Sequence, residues 1–385
     1  MALNKQGLLL LTPGPLTTSA SVKEAMLRDW GSRDEDFLRV TRTVRRTLIK
    51  LCGGEGSHVA VLLQGSGTFA LEAMLGTMVA PSGKVLVAVN GAYGARMVTI
   101  CRRIGRAVTA YETPEDTPAD PGKIEQRLAA DRAITHVAIV HCETTSGILN
   151  PVAEVAAAVA AQGRRLLIDS MSSFGALPLD AGQLAFEATA SSANKCLQGV
   201  PGLAFVLCRE SALRQSAGNA PSLSLDLYDQ WQAMENSGQW RFTPPTHVVA
   251  ALSRALEELA GEGGIDGRRR RYQRNCEVLI RGMTALGFRP ILPARLQAPI
   301  IVNFAMPVQC GFDFEAFYRG LKVRGYVIYP GKLTRMSTFR IGCIGALDET
   351  DIAGALEGIR ETLEEMRMDL TVAPRAELPA TKHTP

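Results

Sequence analysis

The sequence predicts an α/β protein with a large domain built on a mostly parallel sheet and a smaller α+β domain at the C-terminal end. Short apolar runs of strand length alternate with helical stretches from residue 58 onward, which is typical of a parallel sheet buried on both faces. The GEGGIDG stretch at 261–267 interrupts this alternation, and shorter elements follow it. We therefore expect an N-terminal arm at 1–20, a large domain at 21–260, a small domain at 261–370 to which the arm contributes, and a disordered tail at 371–385.

The elements of the large domain follow from local patterns. A helix is predicted from Ser21 to Leu51, with Ser19 or Ser21 as its cap. Continuous apolar runs predict buried strands, and the longer stretches between them predict helices. The predicted strands are 58–64, 84–90, 133–143, 164–170 and 202–209, and the predicted helices are 68–79, 94–105 and 151–163, the last of them ending at a glycine cap.

The small domain has a mixed pattern. A helix near 248–259 ends at the glycine-rich break, and a second helix contains the arginine run 268–271, for which we predict a solvated face. The tail is rich in Pro and Ala and lacks periodic apolar positions, which predicts disorder. The remaining predicted elements are strands near 299–306 and 326–331 and helices near 313–325 and 348–368.

Composition narrows the class of protein. A hydrophobic fraction of 46% and a charged fraction of 21% are typical of a globular protein, and a net charge of +4 over 385 residues gives no reason to expect nucleic acid or a membrane surface as a partner. The eight cysteines are spaced singly, without the close pairs of a zinc site, so we expect reduced thiols and no metal. No apolar run approaches the roughly 20 residues of a membrane span, and the N-terminal LLLL is too short for a secretory signal. We expect a cytoplasmic protein.

Three features in chain order have the chemistry of a cofactor site. The Gly-Ser-Gly-Thr turn at 65–68 joins a strand to a helix, where backbone N–H groups suit a phosphate, although an ordinary turn explains this motif alone equally well. Asp169 directly follows a buried strand and suits a cationic ring nitrogen better than a metal. Lys195 lies among small residues before an apolar strand, and partial burial would favour its neutral, nucleophilic amine. A phosphate clamp, a carboxylate and an enclosed lysine are what pyridoxal 5′-phosphate (PLP) requires.

The sequence resembles the class V branch of the fold-type I PLP aminotransferases over nearly its whole length. The resemblance implies a PLP-dependent transaminase that works as a homodimer with its active sites at the subunit interface. It also implies 2-aminoethylphosphonate as the amino donor and pyruvate as the acceptor. The stretches that carry the resemblance are LLQGSGT, NGAYGARM, HCETTSGILNP, IDSMSSFG, SSANKCLQGVPG, SLSLDLYDQW, WRFTPPTH, VIYPGK and FRIG.

The resemblance also implies a role for individual residues. Lys195 would hold the cofactor covalently, and Asp169 would pair with its ring nitrogen. Tyr93 would lie against the ring, where the alternative is a core tyrosine, and Thr145 would approach the ring hydroxyl. Asn194 would lie near the phosphate or the ring. The phosphate would be held by Ser66, Gly67 and Thr68, with Thr243 contributed by the partner subunit.

The substrate side of the site depends on Arg340. Its guanidinium group, in the FRIG strand, suits bidentate binding of a carboxylate or phosphonate, whereas a structural ion pair is the common alternative for an arginine. Pro13 and Gly14 would approach the substrate through backbone atoms. The sequence departs from the resemblance at 29–37, where Arg33 replaces an aromatic residue, and at 331–338. Cys343 lies close to Arg340, and we expect it to be structural.

Two alternatives remain open from the sequence. A serine– or alanine–glyoxylate aminotransferase on the same scaffold would accept an amino acid carboxylate in place of a phosphonate. A non-catalytic protein with the same fold would be indicated by loss of Lys195 or Asp169, and both residues are present.

Overall fold

The computed structural model describes residues 7–307 and 311–371. Within these residues the chain forms one large mixed sheet, one smaller sheet and two short strand pairs. The strands are β1 (Leu9–Leu10), β2 (His58–Gln64), β3 (Lys84–Val89), β4 (Ala107–Glu112), β5 (Ile134–Val140), β6 (Cys142–Glu143), β7 (Ile148–Leu149), β8 (Arg165–Asp169), β9 (Ala188–Ser192), β10 (Leu203–Arg209), β11 (Ile301–Ala305), β12 (Tyr326–Val327), β13 (Tyr329–Pro330) and β14 (Thr338–Gly342). The helices are α1 (Ala20–Glu24), α2 (Glu35–Leu51), α3 (Gly67–Met78), α4 (Ala92–Arg103), α5 (Pro121–Ala130), α6 (Val152–Ala161), α7 (Glu210–Gln215), α8 (Leu227–Ser237), α9 (Thr246–Gly261), α10 (Gly264–Ala285), α11 (Phe314–Val323) and α12 (Glu349–Glu365), with a 3₁₀ turn at Ala294–Leu296.

The large sheet has seven strands in the order β2-β10-β9-β8-β5-β3-β4. Only β10 runs antiparallel to its neighbours, so the predicted mostly parallel α/β sheet is confirmed. Successive residues of a strand point to opposite faces, so Leu62 packs in one apolar layer while Val61 and Leu63 pack in the other. Helices α2, α5, α6 and α9 cover the first face, and α3, α4, α7 and α8 cover the second. Both faces are therefore buried, as the continuous apolar runs predicted.

The parallel strands place their carboxyl ends at one edge of the sheet. Asp169 ends β8 and Glu143 lies just beyond β5, while Tyr93 follows β3 and Lys195 follows β9. Open α/β sheets bind ligands at this edge. Four chemically capable side chains from distant parts of the sequence thus share one location because of topology.

The C-terminal part packs around a separate apolar core. Its antiparallel sheet, β11-β14-β13, is covered by α10, α11 and α12. The N-terminal arm joins this part, because β1 pairs in parallel with β12 and Leu11 is buried in the same core. The arm thus packs with the C-terminal part of the chain, and the proposed division into domains stays a prediction.

Several predicted elements need correction. The helix predicted from Ser21 to Leu51 is two helices, α1 and α2, because Gly31 and Asp34 form a turn and Asp34 then occupies the N-cap position of α2. Ser19 is the cap of α1, accepting the Val22 N–H at 3.2 Å. The strand predicted over 133–143 ends at Val140, and β6 then forms a hairpin with β7. Seven of the described strands and helices were not predicted: β1, β4, α5, β7, β9, α7 and α8.

The arginine run is only partly solvated, contrary to the prediction. Arg268 is buried, pairs with Glu262 at 2.5 Å and donates to the Cys196 carbonyl oxygen. Arg271 also binds Glu262, so two of the four arginines tie α10 to the core, while Arg269 and Arg270 are exposed.

Among the helices that the structure describes, none has the length and apolarity needed to cross a membrane. The seven cysteines within the described ranges are free and buried, Cys343 among them. Of the tail predicted at 371–385, residues 372–385 lie outside the described residues.

Candidate active site

Lys195 lies at the centre of the sheet edge. It follows β9, is half-buried, and its Nζ donates to the Pro13 carbonyl oxygen at 2.6 Å. Burial lowers the pKa of the Lys195 amine and outweighs the neighbouring Tyr93, Cys196 and Asp169, which raise it. A lowered pKa increases the fraction of neutral amine, which is the form that attacks an aldehyde.

Asp169 is a buried carboxylate with one oxygen unsatisfied. Its Oδ1 accepts the Met171 N–H at 2.9 Å, while Oδ2 has no hydrogen-bond partner among the described protein atoms. Burial raises the pKa of Asp169 to about 7, with a further contribution from Glu143, against the hydrogen bond from Met171. A buried acceptor without a donor is costly, so this side chain is suited to a protonated ring nitrogen.

The turn at 65–68 is shaped to hold an anion. Ser66 is the N-cap of α3, yet its hydroxyl makes no capping hydrogen bond and stays free for a ligand. Gly65 has φ +119°, a conformation that L side chains rarely adopt. A Cβ on Gly67 would lie 2.4 Å from the Met171 sulfur, so a larger residue there would have to displace the Met171 side chain. The turn therefore presents the N-terminal end of a 12-residue helix to a phosphate.

Several cations surround Tyr93. The Arg96 guanidinium lies 4.9 Å from the centre of its ring and also donates to Thr68 Oγ1 at 3.2 Å. Burial alone would raise the pKa of the Tyr93 hydroxyl, but a hydrogen bond with Thr144 and the charges of Lys195, Lys332 and Arg340 lower it overall. The site is thus strongly electropositive, as a phosphorylated cofactor and an anionic substrate would require.

Glu143 is an organising residue that the sequence reasoning missed. It is fully buried and accepts four hydrogen bonds: from the Tyr93 and Gly94 N–H groups at 3.2 Å, and from the N–H and hydroxyl of Thr145 at 3.0 and 2.6 Å. Burial raises the pKa of Glu143 against these hydrogen bonds, which favour the ionised form. The Thr145 hydroxyl also accepts the Ala92 N–H at 3.0 Å, so one lone pair is left for a cofactor.

Arg340 brings the C-terminal part of the chain into the site. It is buried in β14, and its Nε and Nη1 donate to the carbonyl oxygens of Pro330 and Thr144 at 3.1 and 3.2 Å. Burial lowers the pKa of Arg340, although Tyr93 and Glu143 act in the opposite direction. Held by neutral carbonyl groups, the guanidinium keeps a full positive charge for an anionic ligand.

Gly14 explains why the N-terminal arm passes so close to Lys195. A Cβ at this position would lie 2.7 Å from Lys195 Cδ and 2.9 Å from the Asn194 carbonyl oxygen, and the φ of Gly14 is +116°. Asn194 is half-buried beside Lys195, and its placement near the cofactor stays a prediction.

Thr243 lies in a different setting from the other predicted residues. It is exposed in the segment between α8 and α9, in a surface cavity of about 290 Å³ that also contains Arg33 and Phe242. No contact between Thr243 and Lys195 is recorded among the described residues. The role of Thr243 in phosphate binding stays a prediction.

The residues present fit PLP. The unsatisfied Asp169 oxygen, the free Ser66 hydroxyl and the half-buried Lys195 amine match the three polar ends of that cofactor. Tyr93 supplies an aromatic face between the phosphate turn and Lys195.

The sequence matches the family described as aminotransferase class-V over residues 19–319. The chain therefore belongs to the class-V aminotransferase family, and its cofactor is PLP. It is 52% identical over 95% of its length to a 2-aminoethylphosphonate–pyruvate transaminase of Polaromonas sp., covering 98% of that protein. It is 51% identical to the enzyme of the same name from Pseudomonas putida, with 94% of this chain and 98% of that protein covered.

Solved structures show the same fold. An aspartate aminotransferase from Thermus thermophilus superposes with a TM-score of 0.83 at 27% identity, over 93% of this chain and 99% of that one. An alanine–glyoxylate aminotransferase from Nostoc sp. gives a TM-score of 0.86 at 24% identity, over 94% of this chain and 97% of that one. The predicted fold-type I PLP transferase architecture is confirmed.

Proposed function

We propose that this enzyme transfers the amino group of 2-aminoethylphosphonate to pyruvate, giving phosphonoacetaldehyde and L-alanine in phosphonate degradation. The observation that carries this proposal is identity above 50% to transaminases of that name across nearly the whole of both chains. An electropositive site built from Lys195, Arg340 and Lys332 around Tyr93 supports an anionic donor.

Each residue has a defined task in this proposal. Bound PLP supplies an aldehyde that captures the amine and a ring that accepts an electron pair. Lys195 Nζ takes the proton from the donor carbon that bears nitrogen and returns a proton on the other side of the reaction. Asp169 Oδ2 keeps the ring nitrogen protonated, which favours charge delocalisation into the ring.

The remaining residues hold and orient. Ser66, Gly67 and Thr68 bind the cofactor phosphate, with Arg96 adding a positive charge through its contact with Thr68. Tyr93 stacks on the ring, with Thr145 and Asn194 at its edges. Arg340 binds the phosphonate of the donor and then the carboxylate of pyruvate, with backbone atoms of Gly14 closing the site. One site thus serves both half-reactions.

A serine– or alanine–glyoxylate aminotransferase is the alternative function. Its support is the fold shared with the Nostoc structure, at 24% identity. At that identity the likeness bears on the fold and leaves the substrate open, so the phosphonate donor is favoured.

A homodimer completes the proposal. Phe69, next to the phosphate turn, is 50% exposed, and Leu223 and Phe242 are 71% and 43% exposed. Arg241 ties the last two segments together by donating to the Leu223 carbonyl oxygen at 2.8 Å. Exposed apolar side chains such as Leu223 and Phe242, on segments held together by Arg241, suit a subunit interface, where Thr243 would reach the phosphate of the partner site. Free, buried thiols support the expected cytoplasmic location.

A panel of amino donors tests the reaction. We expect the PLP-loaded enzyme to show its highest kcat/KM with 2-aminoethylphosphonate and pyruvate, and the variant Lys195→Ala to lose turnover while remaining folded by circular dichroism. Preference for L-serine or L-alanine with glyoxylate would instead establish the alternative function.

A further inference from the structure

Lys332 is a second cation on the substrate side of Tyr93. It lies two residues after Pro330 in the segment 331–337, which joins β13 to β14 and so leads directly to Arg340. Its Nζ lies 5.7 Å from the centre of the Tyr93 ring. The charges of both Lys332 and Arg340 act on the Tyr93 hydroxyl, so the two cations face the same point from neighbouring positions of one hairpin.

The segment that carries Lys332 is held at two points. Its first residue, Gly331, donates to the Thr338 carbonyl oxygen at 2.7 Å and closes the hairpin. Glu115, in the segment after β4, accepts the Thr334 N–H at 3.0 Å and its hydroxyl at 3.3 Å. The segment therefore bridges from the C-terminal part to the large sheet, and its position over the site does not depend on Lys332 itself.

Within the described residues, neither cation forms an ion pair with a carboxylate. Lys332 lies over the Tyr93 ring, and Arg340 is held by the backbone oxygens of Pro330 and Thr144. The nearest buried carboxylates are otherwise engaged, since Glu143 accepts four hydrogen bonds and Asp169 faces the ring-nitrogen position. Two positive charges are thus available to a substrate.

A carboxylate needs one of these charges, whereas a phosphonate dianion matches two. We propose that Lys332 is a specificity-determining residue that binds the phosphonate group together with Arg340 and so favours a phosphonate donor over a carboxylate donor of the same length. This inference rests on the proposed function and deepens it. Arg340 supplies directional hydrogen bonds, and Lys332 supplies the second charge.

The test compares Lys332→Gln with a matched control, Lys322→Gln. Lys322 is also exposed and also lies over a tyrosine ring, 6.0 Å from the centre of Tyr318, but on α11. For PLP-loaded Lys332→Gln we expect kcat/KM for 2-aminoethylphosphonate to fall about 10- to 100-fold, mainly through KM, as expected for loss of one charge-assisted contact. The fall for the carboxylate analogue 3-aminopropanoate should be below about threefold, and Lys332→Arg should recover most of the loss.

Equilibrium binding separates this inference from the reaction. Ethylphosphonate and propanoate lack the amine, so calorimetry with the PLP-loaded enzyme measures anion recognition alone. We expect Lys332→Gln to weaken ethylphosphonate binding about tenfold, while propanoate binding changes little and Lys322→Gln binds both as the wild type does.

The outcomes are distinguishable. If the wild type transaminates 2-aminoethylphosphonate but Lys332→Gln binds ethylphosphonate normally, or loses both anions equally, the inference is overturned and the proposed function stands. If the wild type does not transaminate this donor, the proposed function fails, and Lys332-dependent binding of ethylphosphonate would still establish the role of Lys332. An equal loss in Lys322→Gln would reduce the effect to general surface charge and overturn the inference.

Discussion

In the folded protein, burial disfavours the ionised form of Asp169 unless a cation is bound beside it. Burial raises its pKa from 3.8 to about 7, and its Oδ2 atom lacks a partner within the described chain. Between these two pH values the folded protein binds a proton that the unfolded chain has released. The stability contributed by the protonated carboxyl group is therefore lost as the pH rises towards 7. Above that pH the free-energy cost of burying the ionised carboxylate no longer changes with pH.

We predict that Asp169→Asn removes this pH dependence from the cofactor-free protein. Asparagine has nearly the same shape and no charge, so the variant should gain stability relative to the wild type as the pH rises from about 5 to 8. Over this pH range the change is at most about 3 kcal/mol, because about two pKa units separate pH 5 from the folded pKa of about 7, at about 1.36 kcal/mol per unit. Urea unfolding of both cofactor-free proteins across this pH range measures it.

The exposed Asp116→Asn is the control and should leave the pH profile unchanged. A constant difference between Asp169→Asn and the wild type at every pH would mean that Asp169 does not titrate in this range. In that case the unsatisfied oxygen would not be the source of the effect.

At the scale of residues, the sequence predicted the side chains that would react with or bind a cofactor. It did not predict the side chains that hold those residues in place. Lys195 and Asp169 could be chosen because lysine after small residues and aspartate after a buried strand are unusual settings. Glu143 gave no such signal, because its importance comes from the N–H groups of Tyr93 and Gly94, which lie about 50 residues earlier. Lys332 also required the fold, since only the hairpin places it beside Tyr93.

Some missed residues left a trace in the sequence. Arg96 follows Tyr93 by three positions in α4, the spacing that places two side chains on one face of a helix. That spacing predicts their contact, but the donation from Arg96 to Thr68 depends on how α3 and α4 pack.

Among the elements, the N-terminal arm is the one whose placement affects the site most directly. Its residues before and after Gly14 are tied to the C-terminal part: the Leu11 carbonyl oxygen accepts the Gly342 N–H at 3.0 Å, and the Thr17 carbonyl oxygen accepts the Ala346 N–H at 2.8 Å. Because the arm is held on both sides, Gly14 cannot retreat from Lys195 to make room for a side chain.

We predict that Gly14→Ala displaces Lys195 and weakens cofactor retention. The new Cβ would lie under 3.0 Å from both Lys195 Cδ and the Asn194 carbonyl oxygen. The dissociation constant for PLP should rise about tenfold or more, equivalent to about 1.4 kcal/mol. Absorbance of the bound cofactor during dialysis measures this loss.

Gly7→Ala is a control that separates the contact from backbone strain. Gly7 also has a positive φ, +79°, but a Cβ there would have nothing within 4 Å. Retention of PLP should therefore be normal in Gly7→Ala. Equal losses in the two variants would attribute the effect to strain in the arm, and the proximity of Gly14 to Lys195 would then be unimportant.

Elements were predicted correctly where buried positions are occupied by apolar residues, and they were missed where buried positions are occupied by small, polar or charged residues. Strand β2 matches its predicted bounds, because its apolar run is continuous. Strand β9 was missed because its sequence, ATASS, is small and polar although every residue in it is buried. The arginine run was misjudged for the opposite reason: Arg268 is a charged residue whose burial depends on Glu262, from the turn before α10.

At the scale of the whole molecule, the topology assembles a site to which both parts of the chain contribute. The sheet edge supplies Lys195, Asp169 and Tyr93, while β14 supplies Arg340. The alternation of strands and helices predicted this sheet and its ligand-binding edge. It could not predict which large apolar side chains stay exposed, because residues such as Leu223 and Phe242 belong to no periodic pattern.

The exposed position of Thr243 leads to a prediction about assembly. If the enzyme is a dimer in which Thr243 serves the partner site, each site uses Lys195 of one subunit and Thr243 of the other. Lys195→Ala then damages the site of its own subunit, and Thr243→Asp damages the site of the partner subunit. The aspartate would repel the cofactor phosphate, so each variant alone should have little activity. Light scattering should show both variants to be dimers of the wild-type size.

Mixing the two variants under conditions that exchange subunits should restore activity. Random pairing makes half of the dimers hybrid, and each hybrid has one site with an intact Lys195 and an intact partner Thr243. Activity should therefore reach about a quarter of the wild-type value per subunit. If Thr243 served its own subunit's site, the hybrid would have no intact site and the mixture would stay inactive. The hybrid thus distinguishes a shared site from two independent ones, because only in a shared arrangement do both lesions fall in one site and leave the other site intact.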